Sequence, residues 1–500
     1  MGNEIISGLL SVFALGPLLG IAAGISLGLI FGAIPGIAGV MAVAVILPMT
    51  FYFDPIIGIP MLLGIYKAGV FGGSISAILI NTPGAAPAFL TAIDGHALTK
   101  KGQAGKALNT ALIASVIGDT LSDLILILVA APLSIVALKA GPIERLFLLI
   151  FAVTVVGSIS GSSMVKGLLS CAIGLFLATV GISNITGTSR FTFGITDLTG
   201  GITFIPMLIG VLVMPEVLKT IRRKDEDVKD AKYVKSANPE DNKLTWPEFR
   251  SIIKTILKST GIGTFIGCLP GIGSSTASFL AYGEAKRSSK TPEKFGKGSL
   301  EGIAAAESAN NAVCGATMIP MLTLGIPGDD VVAILMGAFL IQGITPGPTI
   351  FFEHTRVIYG IYGGLLLCNL FNYLLGRAGF RFWIRLSNVP KNLVFACVTV
   401  FAIVGSYTVN QSMFDILILI IFMLVGYAMN ELEFNPAAFV IGFILSPFLE
   451  QSLDQAMTIV NNNVLLFFYK PFTWVFVALT FLSIWSTIKQ KRRMAKYLAN

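Results

Sequence analysis

GLIFGAIPGI, residues 28 to 37, returns as GTFIGCLPGI, residues 263 to 272. Gly28, Gly32, Pro35, Gly36 and Ile37 recur as Gly263, Gly267, Pro270, Gly271 and Ile272 at a single offset of 235 residues, which marks an internal duplication. Each copy sets a Pro-Gly pair inside a run apolar enough to span a membrane. Proline removes a backbone donor, and an unpaired backbone group in hydrocarbon costs several kcal/mol. A break repeated at that cost predicts a place near the bilayer midplane where ions or substrates meet freed backbone groups.

The surrounding composition agrees. Of 500 residues, 54% are hydrophobic and 12% charged, against roughly 25% charged in a soluble domain; the mean hydropathy is +0.81. Apolar segments near the ~20 residues needed to cross the bilayer recur from end to end, so the expected class is an all-α polytopic membrane protein, not a β-barrel. The net charge of +8 sits in short tracts between spans, as the positive-inside tendency requires, and does not point to nucleic acid. Five cysteines in or beside apolar runs show no metal-ligand spacing and read as packing residues. The N-terminus has no basic n-region and is not read as a cleaved signal.

Residues 17–52 form a first re-entrant hairpin and 56–93 a broken helix interrupted at Asn81 to Gly84; further spans carry repeat 1 to residue 221. The charged stretch 222–251 is a linker. Repeat 2 covers 252–450, with a hairpin at 252–283 and a broken helix at 303–346 interrupted at Gly325 to Gly328; an extra span lies at 464–487. Pro83 and Pro327 differ by 244, so about nine residues were inserted between the two breaks of repeat 2. In repeat 1 the loop after the hairpin lacks Lys and Arg and the loop after the broken helix is basic; in repeat 2 the pattern reverses. If basic loops face the cytoplasm, the repeats are inverted and the C-terminus is cytoplasmic, with Lys139, Arg145 and Arg190 as exceptions.

Unwound helix frees carbonyls that suit Na⁺ and exposes helix N-termini that suit carboxylates. The candidate anion-binding residues are Pro35, Gly36, Lys67, Asn81, Thr82, Gly84, Gly271, Ser274, Ser275, Asn310, Asn311, Pro327 and Gly328. The candidate Na⁺ ligands, mainly backbone carbonyls, are Gly36, Gly39, Asn81, Gly273, Thr276, Thr323, Gly325 and Asp329. One Pro-Gly pair need only kink a helix; two in inverted register favour binding. Lys67 lies mid-span, where an ionisable group costs roughly 2.5–3.5 kcal/mol on insertion scales, and either meets a substrate carboxylate or pairs with an acid such as Glu307. Asp329 either caps the next helix or coordinates a cation. Asp119 and Asp123 share a helix face and are expected to bond neighbouring helices, with ion coupling the lesser reading. His96 and His354 are isolated and form no metal site.

No HExxH, GxSxG or GxxxxGK[ST] motif is present, so the reading is not an enzyme and no cofactor is expected. A channel is the other alternative, but two-sided hairpins suit alternating access better.

GAIPGIAG, ILINTPGAAPAFLTAIDGHALTKKGQAGKAL, GCLPGIGSS, AAAESANNAV and LGIPGDD together resemble the large membrane subunit of the tripartite tricarboxylate transporter family, over about residues 17–450. The resemblance implies a bacterial inner-membrane secondary transporter. It would work with a small membrane subunit and an extracytoplasmic solute-binding protein to take up citrate-like or other organic carboxylates by cation symport. The coupling ion is expected to be Na⁺, with H⁺ the alternative. Membrane lipids and a homodimer contact are the remaining expected partners, and the motion is expected to be elevator-like.

Overall fold

The computed structural model describes residues 2–34, 39–159, 163–183, 185–222, 236, 238–380, 382, 389–461 and 463–498. The first half runs α1 (Gly2–Ser11), α2 (Leu15–Ala33), α3 (Gly39–Thr50), α4 (Pro55–Ile80), α5 (Phe89–Lys100), α6 (Ala104–Ala137), α7 (Pro142–Ile159), α8 (Met164–Leu177), α9 (Phe204–Leu212) and α10 (Met214–Arg222). The second runs α11 (Trp246–Gly267), α12 (Gly273–Ser288), α13 (Leu300–Ala316), α14 (Met318–Leu324), α15 (Asp330–Ile341), α16 (Ile350–Glu353), α17 (Thr355–Ala378), α18 (Lys391–Asn410), α19 (Met413–Glu431) and α20 (Pro436–Ile459), and α21 (Pro471–Leu498) ends the chain. Among the described residues eight helices are long and apolar enough to cross a membrane. The single strand pair among them joins Gly181–Ile182 to Ser189–Arg190. The chain is an all-α polytopic membrane protein.

A glycine stripe sets the central packing. Gly20, Gly24, Gly28 and Gly32 lie four apart on α2, and a Cβ on each would meet Ile57, Met61, Ile65 and Gly69 of α4 in that order. Both numbers rise together in steps of four, so α2 and α4 run parallel and α3 returns the chain between them. In the second half Gly263 of α11 lies on Ala309, and Gly267 lies on Val313 and Ala316 of α13. Gly28 to Gly263 is the offset of 235, while Ile65 to Ala309 and Gly69 to Val313 are both 244. One helix pair has been built twice, down to the residues in contact. Without side chains at these positions the backbones approach closely, which is how helices associate where no hydrophobic drive separates them from lipid.

Each half's broken helix also packs on the long helix of the other half: α13 on α6 and α4 on α17. The arms of the first hairpin are unequal. α2, at 19 residues, is about 28 Å long, close to the ~30 Å hydrocarbon thickness, whereas α3, at 12 residues, is about 18 Å. The glycine stripe holds α2 along most of α4, so only the return arm is short. The expected linker also ends early, because α11 starts at Trp246 on a capping box formed by Thr245 and Glu248.

Gly28→Val is expected to destabilise the chain by about 1–3 kcal/mol through overpacking, since a Cβ there stands 2.8 Å from the Cβ of Ala68 and 2.9 Å from the amide nitrogen of Gly69. Gly261→Ala, with no atom within 4 Å of the added carbon, is the control. Thermal unfolding in detergent distinguishes them, and equal midpoints would refute the stripe.

Candidate functional site

The two broken helices pack against the described parts of the two hairpins. Asn81 ends α4 with φ 57° and Gly325 ends α14 with φ 71°, so the two breaks, 244 apart, begin with the same left-handed turn. In the first break the Gly84 amide donates to Gly73 O at 3.1 Å, and Gly84 lies against Gly32 at the end of the first hairpin's long arm. The next turn reaches the second hairpin: Ser278 Oγ of α12 donates to Pro87 O at 3.2 Å, and Phe89 stacks on Phe279. In the second break the Gly271 amide, at the turn of the second hairpin, donates to Gly328 O at 2.7 Å. The helix after it, α15, packs on α3 of the first hairpin. Each break thus touches its own hairpin and leads into a segment that touches the other.

Asn81 and Thr82 are exposed, Ser274, Ser275 and Thr276 are half-buried, and Pro327 and Gly328 are buried. Gly271 and Gly273 have φ of 82° and 75°, a region glycine enters without strain. Gly39 lies on Gly69. Thr323 and Thr276 bond back to Ile319 O and Ile272 O, leaving hydroxyl lone pairs as acceptors. Asp329 caps α15: its Oδ1 accepts from the Val332 amide at 2.8 Å, and its Oδ2 accepts from Tyr66 OH at 2.5 Å. Asn310 is buried with neither amide atom bonded, and Asn311 donates to Ser115 while its Oδ1 has no partner. Pro35 and Gly36 fall outside the described residues.

Two buried polar knots flank these stretches. Glu307 of α13 is not the partner of Lys67. It accepts instead from Ser74 of α4, Thr91 of α5 and Ser115 of α6, neutral donors that tie both sides of the first break to the second half. Lys67 bonds Asp119, Asp123 and Asn369. The expectation that Asp119 and Asp123 bond neighbouring helices describes this contact. What one sequence could not tell was which acid faces Lys67, because Glu307 and the two aspartates lie equally far outside any local spacing rule.

A cavity of about 470 Å³ opens beside the second break, between α6, α7, α20 and α21, and reaches Thr323 and Gly325. Lys139 and Arg145 line it, with Glu144 its one acid among the described residues. These two are among the three basic residues that break the loop-charge rule; the third, Arg190, pairs with Glu450 instead.

A duplicated all-α membrane core with a broken helix in each half has the architecture of a membrane transport protein. Residues 18–441 match the Tripartite tricarboxylate transporter TctA family, and the chain belongs to that family. It is therefore the large subunit of a tripartite transporter, a family that implies a small membrane subunit and a solute-binding protein. A protein of Agrobacterium vitis, "Uncharacterized 52.8 kDa protein in TAR-I ttuC' 3'region", is 37% identical over 448 residues, 90% of this chain and 88% of its own. A second from the same organism, "Uncharacterized protein in TAR-II ttuC' 3'region", is 37% identical over 209 residues, 42% of this chain and 86% of its own. No solved structure matches.

Proposed function

We propose that the chain carries small organic carboxylates, citrate-like tricarboxylates or dicarboxylates, inward across the bacterial inner membrane by symport with a cation. The observation that supports this best is the contact of each break with its own hairpin, through Gly84 and Gly32 and through Gly271 and Gly328, and of the segment after it with the other hairpin, through Pro87 and Ser278 and through α15 and α3. Backbone amides and the hydroxyls of Ser274 and Ser275 hold the carboxylate. Carbonyls at Gly39, Asn81, Gly273 and Gly325, with oxygens of Thr276, Thr323 and Asp329, hold Na⁺. Neutral oxygens predominate in that set, which favours Na⁺ over H⁺ there. The hairpins and broken helices of two inverted repeats move together against the remaining spans, with the C-terminus in the cytoplasm and the scaffold forming a homodimer.

The cavity beside Thr323 is the outward vestibule, where Lys139 and Arg145 concentrate the anion released by the solute-binding protein. Uptake into proteoliposomes with both partner proteins, a panel of di- and tricarboxylates and separately imposed Na⁺ and pH gradients tests the reading. Saturable accumulation driven by Na⁺ is expected. Lys139→Gln with Arg145→Gln should slow it roughly tenfold, the lower end of electrostatic focusing. Flux that never exceeds equilibration would show a channel.

A further inference from the structure

Lys67 is wholly buried on α4. Its ammonium donates to Asp119 Oδ1 at 2.8 Å, Asp123 Oδ2 at 2.6 Å and Asn369 Oδ1 at 3.1 Å. Asn369 of α17 donates in turn to Asp123 Oδ2 at 2.7 Å. Asp119 and Asp123 are 2% and 0% exposed, so bulk water does not screen their charges. One cation faces two carboxylates, and one oxygen of each, Asp119 Oδ2 and Asp123 Oδ1, accepts no hydrogen bond. With both acids ionised the cluster holds a surplus negative charge, and an uncompensated buried charge costs several kcal/mol even after relaxation.

No other cation faces the cluster among the described residues. Cys314 of α13 and Cys368 of α17 lie beside it. Tyr66, the residue before Lys67 on α4, is engaged on Asp329, and Glu307 is satisfied by hydroxyls. α2, α3 and α14 carry no titratable side chain.

We propose that Asp119 carries one exchangeable proton and that binding and releasing it couples carboxylate transport to the pH gradient. The geometry selects Asp119 because Asp123 receives two donors, which favour its anion, whereas Asp119 receives only the lysine. With the proton on Asp119 the centre is a neutral acid beside a Lys67–Asp123 pair. When it leaves, Lys67 is shared between two anions. The change is felt between the two halves of the chain, because Asp123 Oδ1 abuts Gly315 of α13. This adds a proton to the Na⁺ of the carrier reading, and only its use in transport rests on that reading.

Infrared spectroscopy of the full chain in lipid, titrated with pH, reads protonation without requiring transport. A protonated-carboxyl band is expected near neutral pH that is lost in Asp119→Asn and kept in Glu307→Gln and Asp329→Asn. Absence of such a band, or its survival in Asp119→Asn, overturns the proposal, as does a band absent from the start in which Na⁺ shifts the carboxylate signal. In proteoliposomes with both partner proteins, an inward proton gradient should accelerate wild-type uptake. Asp119→Asn should lose that acceleration yet retain substrate counterflow; an undiminished response overturns the coupling. If the wild type moves no carboxylate, the carrier reading fails and the infrared band alone decides the protonation.

Discussion

Replacing Gly271 or Gly328 by leucine is expected to abolish carboxylate uptake while leaving the chain inserted in the membrane. Gly271 sits at φ 82°, where a residue with a Cβ pays roughly 1–2 kcal/mol. Its amide holds Gly328 O at 2.7 Å, and an added Cβ stands 3.1 Å from Val156 Cα. At Gly328 a Cβ would lie 2.7 Å from Thr317 Cβ and 2.8 Å from its Cα. Those atoms belong to the fully buried junction between α13 and α14, where packing on every side keeps them from swinging aside. Either leucine must part the second hairpin from the second break, and displacing positioned groups by about 1 Å can cost about a hundredfold in rate. The spans themselves are untouched, so membrane extraction and monodispersity should match the wild type. Normal uptake by either variant would remove the breaks from the binding site.

These two glycines were visible in the sequence because the duplication announces them: a Pro-Gly pair repeated at one offset can be read without any knowledge of contacts. The shift from 235 to 244 likewise located the second break, and Asn81 and Gly325 occupy equivalent left-handed turns. The same region carries a tighter feature. Gly20, Gly24, Gly28 and Gly32 already show small-residue spacing in the sequence, which implies a close parallel neighbour and hence a full-length α2 in place of a short dip. Partner choice within the membrane was not legible. Lys67 is recognisable as costly and in need of an acid, but several buried acids are available and only the packing of α4 on α6 and α17 selects Asp119 and Asp123. The cavity beside Thr323 draws on distant segments, from Leu133 to Phe476, so no local pattern encloses it; its trace in the sequence is the misplaced charge of Lys139 and Arg145.

Lys67→Met is expected to be the most destabilising single change in the chain, lowering stability by about 3–5 kcal/mol, the cost of removing one partner from a buried ion pair. Methionine replaces the stem without a large void, so the loss reports charge, not volume. The two aspartates would then face each other at 2% and 0% exposure with Asn369 as the one remaining donor to either among the described residues. Both must take up protons or separate, and separation loosens α6 from α4. Removing the acids as well should reverse the effect, because Lys67→Met with Asp119→Asn and Asp123→Asn leaves no charge to bury and keeps the side-chain shapes. Thermal midpoints of the detergent-solubilised proteins measure this directly: a large fall in the single variant and recovery of most of it in the triple. A single variant as stable as the wild type would mean that Lys67 is not held by these carboxylates, and its ammonium would again be available to a substrate anion. Recovery of stability without recovery of proton-driven uptake would separate the two roles of the cluster, holding α6 to α4 and carrying the exchangeable charge, since only the second needs a titratable group at position 119.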